Sequence, residues 1–229
     1  MFPPTLVTLA MLHIQRTSAA VIVTGLGCLA LVAFLLAEMQ LPAAVAKVIA
    51  SSGFLAVAII SGAPGTGYGR LVLAGLALSF LGDAFLIGES QPAFLAGLAA
   101  FLFAHVAYVA AFAVNGLDVR WMAGAALPVI GISLAVSSWL APHIPPELVV
   151  AVRLYTAVIS AMVVAAFGTR GRGGSLLILA GALLFFFSDL SVAALRLVEA
   201  DFPTYVWGLP LYYAGQLCLA LSVARSRSR

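Results

Sequence analysis

Charge is the property this sequence has least of. Asp, Glu, Lys and Arg make up 8% of its 229 residues, roughly a third of the density that a soluble domain spreads over its water-facing surface. A soluble fold is thereby excluded, and a mean hydropathy of +1.17 with 64% hydrophobic residues shows what takes the place of charge. Cysteine is nearly absent. Cys28 and Cys218 lie far apart inside apolar runs, where a small buried thiol is expected and a structural disulfide is not. Histidine is almost as sparse: His13, His105 and His143 fall in a tail, a helix and a loop, which disfavours a metal site. The cations are too dispersed to make a nucleic-acid surface, despite a net charge of +3.

What the sequence has in abundance is long apolar runs. They fall near 18–37, 43–61, 70–88, 92–115, 120–141, 147–167, 174–198 and 204–224, bounded by Pro, Gly or charge. A bilayer crossing needs ~20 apolar residues. The expectation is therefore an all-α polytopic membrane protein with eight transmembrane helices, a single integral membrane domain over 1–229. The first run precedes a signal-peptidase-like Ala44-Val45-Ala46, but it is too long for a signal-peptide core and ends well before that tripeptide, so it is read as a helix.

The few charges orient the bundle. Arg16, Arg70, Arg120, Arg170, Arg172, Arg225, Arg227 and Arg229 precede odd-numbered spans or follow the last, whereas Glu38, Glu89, Glu147, Glu199 and Asp201 occupy the opposite connections. The positive-inside rule then puts both termini in the cytoplasm and the acidic loops outside. Trp121, Trp139 and Trp207 sit near span ends, as interfacial anchors do.

A repeat runs through the hydrophobicity. Leu73-Ala74-Gly75 matches Leu179-Ala180-Gly181, Asp83 matches Asp189 and Lys47 matches Arg153, all at a constant offset of 106 residues. Each half thus carries a cation and a carboxylate 36 residues apart. Four helices per half preserve orientation, so the expectation is a 4+4 parallel internal repeat, with halves near 18–115 and 120–224 related by an axis along the membrane normal.

Orientation sets depth. Lys47 and Arg153 fall about a turn and a half inside the outer ends of the second and sixth spans, roughly 6–9 Å deep. Asp83 and Asp189 approach the same outer half from the third and seventh. Tyr155, Tyr212 and Gln216 lie there or near the midplane, with His105 and Tyr108 deeper. An intramembrane charge costs ~2.5–3.5 kcal/mol, so these groups need a partner or a purpose. Two readings stay open. The ions can form two structural pairs, Lys47 with one Asp and Arg153 with the other. Alternatively, the carboxylates face each other and share one proton, supplying a general acid and a general base together. His105 alone is weak evidence for chemistry, since a helix-buried His is more often a hydrogen-bonded core residue, although Tyr108 one turn on extends a polar stripe. Ser188 has no triad His beside it, so hydrogen bonding to backbone or Asp is its expected role.

The segments Ser79-Phe80-Leu81-Gly82-Asp83, Phe101-Leu102-Phe103-Ala104-His105-Val106-Ala107-Tyr108, Phe187-Ser188-Asp189 and Tyr213-Ala214-Gly215-Gln216 resemble those of the YhhN family, which includes bacterial and animal lysoplasmalogenases, polytopic membrane hydrolases. The resemblance runs from about Lys47 to Gln216. It departs at Val48, where the family pattern has Pro after the Lys. It implies hydrolysis of the sn-1 vinyl ether of a lysoplasmalogen to a fatty aldehyde and glycerophosphoethanolamine or glycerophosphocholine, without metal or organic cofactor. The implied location is the bacterial cytoplasmic (inner) membrane, and the implied partners are a lysophospholipid substrate and membrane lipids, with no nucleic acid. Asp83 and Asp189 become the acid and base. Lys47 and Arg153 hold the phosphodiester, with Arg153 as the main contact and Lys47 paired to Asp83. Tyr155, Tyr212, Tyr213 and Gln216 bind glycerol oxygens or position water, with His105, Tyr108 and Ser188 completing the substrate site, and an apolar slot takes the alkenyl chain. Oligomeric state is not set by the sequence.

Two rival classes are weaker. An intramembrane aspartyl protease carries Tyr-Asp and Gly-x-Gly-Asp motifs, but Phe80 stands where the first Gly belongs and neither Asp follows a Tyr. A proton-coupled transporter would also have repeats and buried acids, yet no span shows an obvious mid-membrane Pro or double-Gly break.

Overall fold

The computed structural model describes residues 4–88, 90–198 and 201–226, and among them every regular element is a helix. The eight long ones are α1 (Pro4–Leu36), α2 (Gln40–Ile60), α3 (Gly67–Phe85), α4 (Gln91–Asn115), α5 (Val119–Leu140), α6 (Val149–Arg170), α7 (Leu176–Leu197) and α8 (Tyr205–Ser226), with short 3-10 turns at Ala63–Gly65, Ala141–His143 and Pro146–Leu148. All eight are long and apolar enough to cross a membrane. The chain is an integral membrane protein. A helix suits this setting because it satisfies its own backbone hydrogen bonds where no water can.

Helix starts follow local chemistry. Thr66, Ser90, Asp118 and Ser175 each cap the helix they precede, accepting a hydrogen bond from the backbone N–H of Gly69, Ala93, Arg120 and Leu177 respectively. α1 begins earlier than the apolar run at 18–37, because His13, Gln15 and Arg16 interrupt hydrophobicity without interrupting helix propensity. Pro128 lies inside α5 and Pro210 inside α8, and both helices nevertheless run through without a break.

Consecutive helices pack as hairpins, α1 on α2, α3 on α4, α5 on α6 and α7 on α8. α8 also meets α1, α2 and α3, and α4 meets α6, which closes the bundle. Glycines allow two of these approaches. A Cβ on Gly75 would lie 2.7 Å from Cζ of Tyr108 on α4, and one on Gly181 would lie 2.7 Å from Cγ of Leu219 on α8. One Leu-Ala-Gly triplet of the sequence therefore sits at the α3–α4 contact and the other at the α7–α8 contact.

The C-terminal ends of α1, α3, α5 and α7 gather with the N-terminal ends of the even helices at one end of the bundle. Arg70, Arg120, Arg170 and Arg172 lie at the other. There Arg170 donates to the Gly174 carbonyl, Arg172 donates to the Leu117 carbonyl at 3.3 Å, and the Asp118 N–H donates to the Gly168 carbonyl at 2.9 Å. Trp121, Trp139 and Trp207 are exposed near helix ends. Of the charges used for orientation, Glu89, Glu199, Arg227 and Arg229 lie outside the described residues, as does the Arg225 side chain.

Candidate active site

Helical periodicity assembles the site from five helices. On α2, Lys47 and Ser51 are one turn apart on one face, and on α3 Ser79 and Asp83 repeat that spacing. α7 contributes Ser188, Asp189 and, two turns on, Arg196, while α6 brings Tyr155 and α8 brings Tyr212. They surround a cavity of about 580 Å³ at the bundle end opposite the arginine loops. Its polar lining includes Lys47, Asp83, Tyr155, Ser188, Asp189, Arg196 and Tyr212. Leu98, Phe101, Val136, Leu140, Val152 and Ile159 form much of its apolar wall.

Asp83 is held from two helices and Asp189 from one. Asp83 Oδ2 accepts from Ser51 Oγ at 2.6 Å and from Tyr212 Oη at 2.8 Å. The Ser51 proton is committed to Asp83, which leaves its oxygen to accept from Tyr213 Oη, 3.2 Å away. Asp189 Oδ2 accepts from Tyr155 Oη at 2.7 Å, and His105 Nε2 stands 3.8 Å from the same oxygen, beyond hydrogen-bond reach. Asp83 is 5% exposed, whereas the Asp189 side chain is 19% exposed to the cavity. Edge-on aromatic packing fixes the Tyr212 ring: Phe185 and Phe101 lie with centroids 5.4 Å and 5.8 Å away. Among the described residues, no Lys or Arg forms a direct ion pair with either Asp.

A model of the YhhN family matches residues 42–223, which enclose every charged residue of the cavity. The chain belongs to the YhhN family. It is 34% identical to lysoplasmalogenase TMEM86B of Homo sapiens over 179 residues, covering 78% of this chain and 73% of the relative. Lysoplasmalogenase TMEM86A of Bos taurus is 33% identical over 170 residues, 68% of this chain and 66% of the relative. Lysoplasmalogenase TMEM86B of Sus scrofa is 33% identical over 165 residues, 71% and 67%. The chain thus spans about two thirds of the length of the first of these curated relatives it matches. No solved structure matches it.

In this YhhN-family chain the expected site residues separate into two groups and an outlier. Lys47, Asp83, Tyr155, Ser188, Asp189 and Tyr212 line the cavity together. His105, Tyr108, Tyr213 and Gln216 are buried behind it, where Tyr108 Oη donates to Gln216 Oε1 at 2.7 Å. Ser188 Oγ donates to the Phe185 carbonyl at 2.7 Å, a backbone bond within its own helix. Arg153 is the outlier: it is exposed and does not reach the cavity. Tyr155 faces Asp189, and two residues turn a helix through about 200°, so Arg153 points the other way.

Two site residues escaped the reading of the sequence. Ser51 is a ligand of Asp83, and its signal was a serine exactly one turn after Lys47 in an apolar span. Arg196 lines the cavity, and its signal was a cation seven residues after Asp189, hence on the same helix face.

Proposed function

We propose that this protein is a membrane-embedded lysoplasmalogenase, hydrolysing the sn-1 vinyl ether of a lysoplasmalogen to a fatty aldehyde and a glycerophosphodiester. The observation that carries this reading is two carboxylates lining one apolar-walled cavity, each on a tyrosine hydroxyl, in a YhhN-family chain.

A vinyl ether needs an acid, a group that steadies positive charge, and a base for water. The acid transfers its proton to the β-carbon, the C=C bond becomes a C–C bond, and the α-carbon with its oxygen becomes an oxocarbenium ion. Water adds to that carbon and gives its proton to the base. The resulting hemiacetal gives its hydroxyl proton to the spent acid while its bond to the glycerol oxygen breaks and that oxygen takes the proton held by the base, so the aldehyde forms and both carboxyl groups return to their starting states. Paired carboxyl groups serve a similar cation in glycosidases. Asp83, accepting two hydroxyl hydrogen bonds on one oxygen, suits the carboxylate that steadies the cation and receives the water proton. Asp189 accepts one and is the more exposed to the cavity, which suits the acid. The face of α5 bearing Ser133, Val136 and Leu140 borders an apolar slot for the alkenyl chain.

The same reading includes the repeat and the orientation. Asp83 on α3 is held from α2 by Ser51 and from α8 by Tyr212, and Asp189 on α7 is held from α6 by Tyr155 and approached from α4 by His105. Exchanging α1–α4 with α5–α8 maps one pattern onto the other, which supports two halves related by a twofold axis. With the arginine end cytoplasmic, the cavity opens toward the outer leaflet.

Purified protein tests the reading through aldehyde release from a vinyl-ether, alkyl-ether and ester series of lysolipids. Only the vinyl ether should yield aldehyde, and Asp83→Asn and Asp189→Asn should each lower turnover by ~100-fold or more with the fold intact. Near-normal turnover in either variant overturns the two-carboxylate mechanism. Absence of aldehyde release from the wild type overturns the activity itself.

A further inference from the structure

Two cations line the cavity without a direct ion pair among the described residues. Lys47 reaches it from α2 and Arg196 from the last turn of α7. Among the described residues no Asp or Glu oxygen forms an ion pair with either. Lys47 lies within the electrostatic reach of Asp83 and, more weakly, of Arg196. Cations without a direct partner beside an apolar-walled cavity within a membrane bundle are costly, and the cost falls when an anion lies between them. The Arg196 guanidinium is held in place, 5.7 Å from the centroid of the Phe94 ring.

We propose that Lys47 and Arg196 form a clamp for the phosphate of a lysophospholipid, setting the distance at which its sn-1 linkage meets Asp83 and Asp189. The clamp rests on the activity proposed above. Helix geometry gives the spacing. Arg196 lies seven residues beyond Asp189, about 10 Å along α7, and Lys47 lies four residues before Ser51, the ligand of Asp83, about 6 Å along α2. In the substrate, seven bonds separate phosphorus from the β-carbon of the vinyl ether, about 9 Å when extended at ~1.25 Å of advance per bond. A phosphate held at the cations therefore delivers the β-carbon to the level of the carboxylates. Arg196 supplies a planar fork suited to two phosphate oxygens, and Lys47 a point charge. Arg153, on the outward face of α6, has no part in this grip.

The test uses binding and cleavage on the same full-length protein in nanodiscs. Two uncleavable probes are compared: a 1-O-alkyl lysophosphatidylethanolamine, and the 1-O-alkylglycerol that lacks the phosphate. Arg196→Gln should weaken binding of the phosphate-bearing probe roughly 10- to 100-fold, the scale of a lost hydrogen bond to a charged group, and leave the alkylglycerol unchanged. Arg196→Lys should recover part of the loss, and Arg70→Gln, at the far end of the bundle, should alter neither probe. Unchanged phosphate-probe binding in Arg196→Gln overturns the clamp, as does an equal loss for both probes, which would mark a structural role. A loss caused by Arg153→Gln in place of Arg196→Gln also overturns it. Aldehyde release by the wild type separates the two proposals. If it is absent while the Arg196 pattern holds, the activity fails and the phosphate site stands; if it is present while Arg196→Gln binds normally, the site fails alone.

Discussion

Tyr212→Phe removes one oxygen atom and keeps the ring. In the wild type that oxygen donates to Asp83 Oδ2 at 2.8 Å, and the ring packs edge-on against Phe54, Phe101 and Phe185 with centroids 6.3, 5.8 and 5.4 Å away. Packing should survive the change, and the loss falls on the carboxylate. A hydrogen bond to a charged group is worth ~1.5–3 kcal/mol, and every 1.4 kcal/mol is tenfold in rate, so kcat should fall about 10- to 150-fold. Ser51→Ala should act in the same direction, since Ser51 Oγ donates to the same oxygen at 2.6 Å. With one donor gone the other can tighten, so the double variant should lose more than the product of the single losses. The assay is steady-state aldehyde release from a vinyl-ether lysolipid, run beside a thermal melt in the same detergent. Wild-type kcat in Tyr212→Phe, alongside an inactive Asp83→Asn, would refute the idea that hydroxyl donors prepare Asp83 for its role. A kcat loss accompanied by a collapsed melt would refute the separation of packing from chemistry.

Two further outcomes follow from the architecture. Thiol labelling of Gly173→Cys from the cytoplasm and of Phe202→Cys from outside should succeed, each side excluding the other; the reverse accessibility would move the cavity to the cytoplasmic leaflet. Gly75→Ala should destabilise the bundle by ~1–3 kcal/mol through overpacking, because the new methyl group would sit 2.7 Å from Cζ of Tyr108. Gly25→Ala, with nothing within 4 Å of the new atom, is the control, and equal melts for both variants would refute the close α3–α4 contact.

Much of this architecture is written in the sequence, because crossing a bilayer is a one-dimensional demand. Twenty or so apolar residues in a row suffice whichever way the helix is turned, so the eight spans were legible from composition alone, within a few residues at most ends. Only the start of the first was not, since helix propensity carried α1 back past His13, Gln15 and Arg16. Asp83 and Asp189 were legible for a related reason: in a chain this poor in charge, an acid inside an apolar run stands out wherever it points.

Which way a side chain points is another matter. Each residue turns a helix by 100°, so a cavity-facing and a lipid-facing group can lie two residues apart. Arg153 and Tyr155 are such a pair, and depth along the helix, which is all the hydropathy profile gives, cannot separate them. Arg196 and Asp189 are the converse, distant in depth yet on one face of α7. Contacts between helices were further still from view. Sequence determined that this protein crosses the membrane eight times and carries two acids there. Only the packing of α2 and α8 around α3, and of α6 and α4 around α7, decided that Ser51 and Tyr212 hold one acid, that Tyr155 holds the other, and that His105 stands short of it, because those partners lie up to 129 residues from the acid they meet and reach it only when the bundle closes.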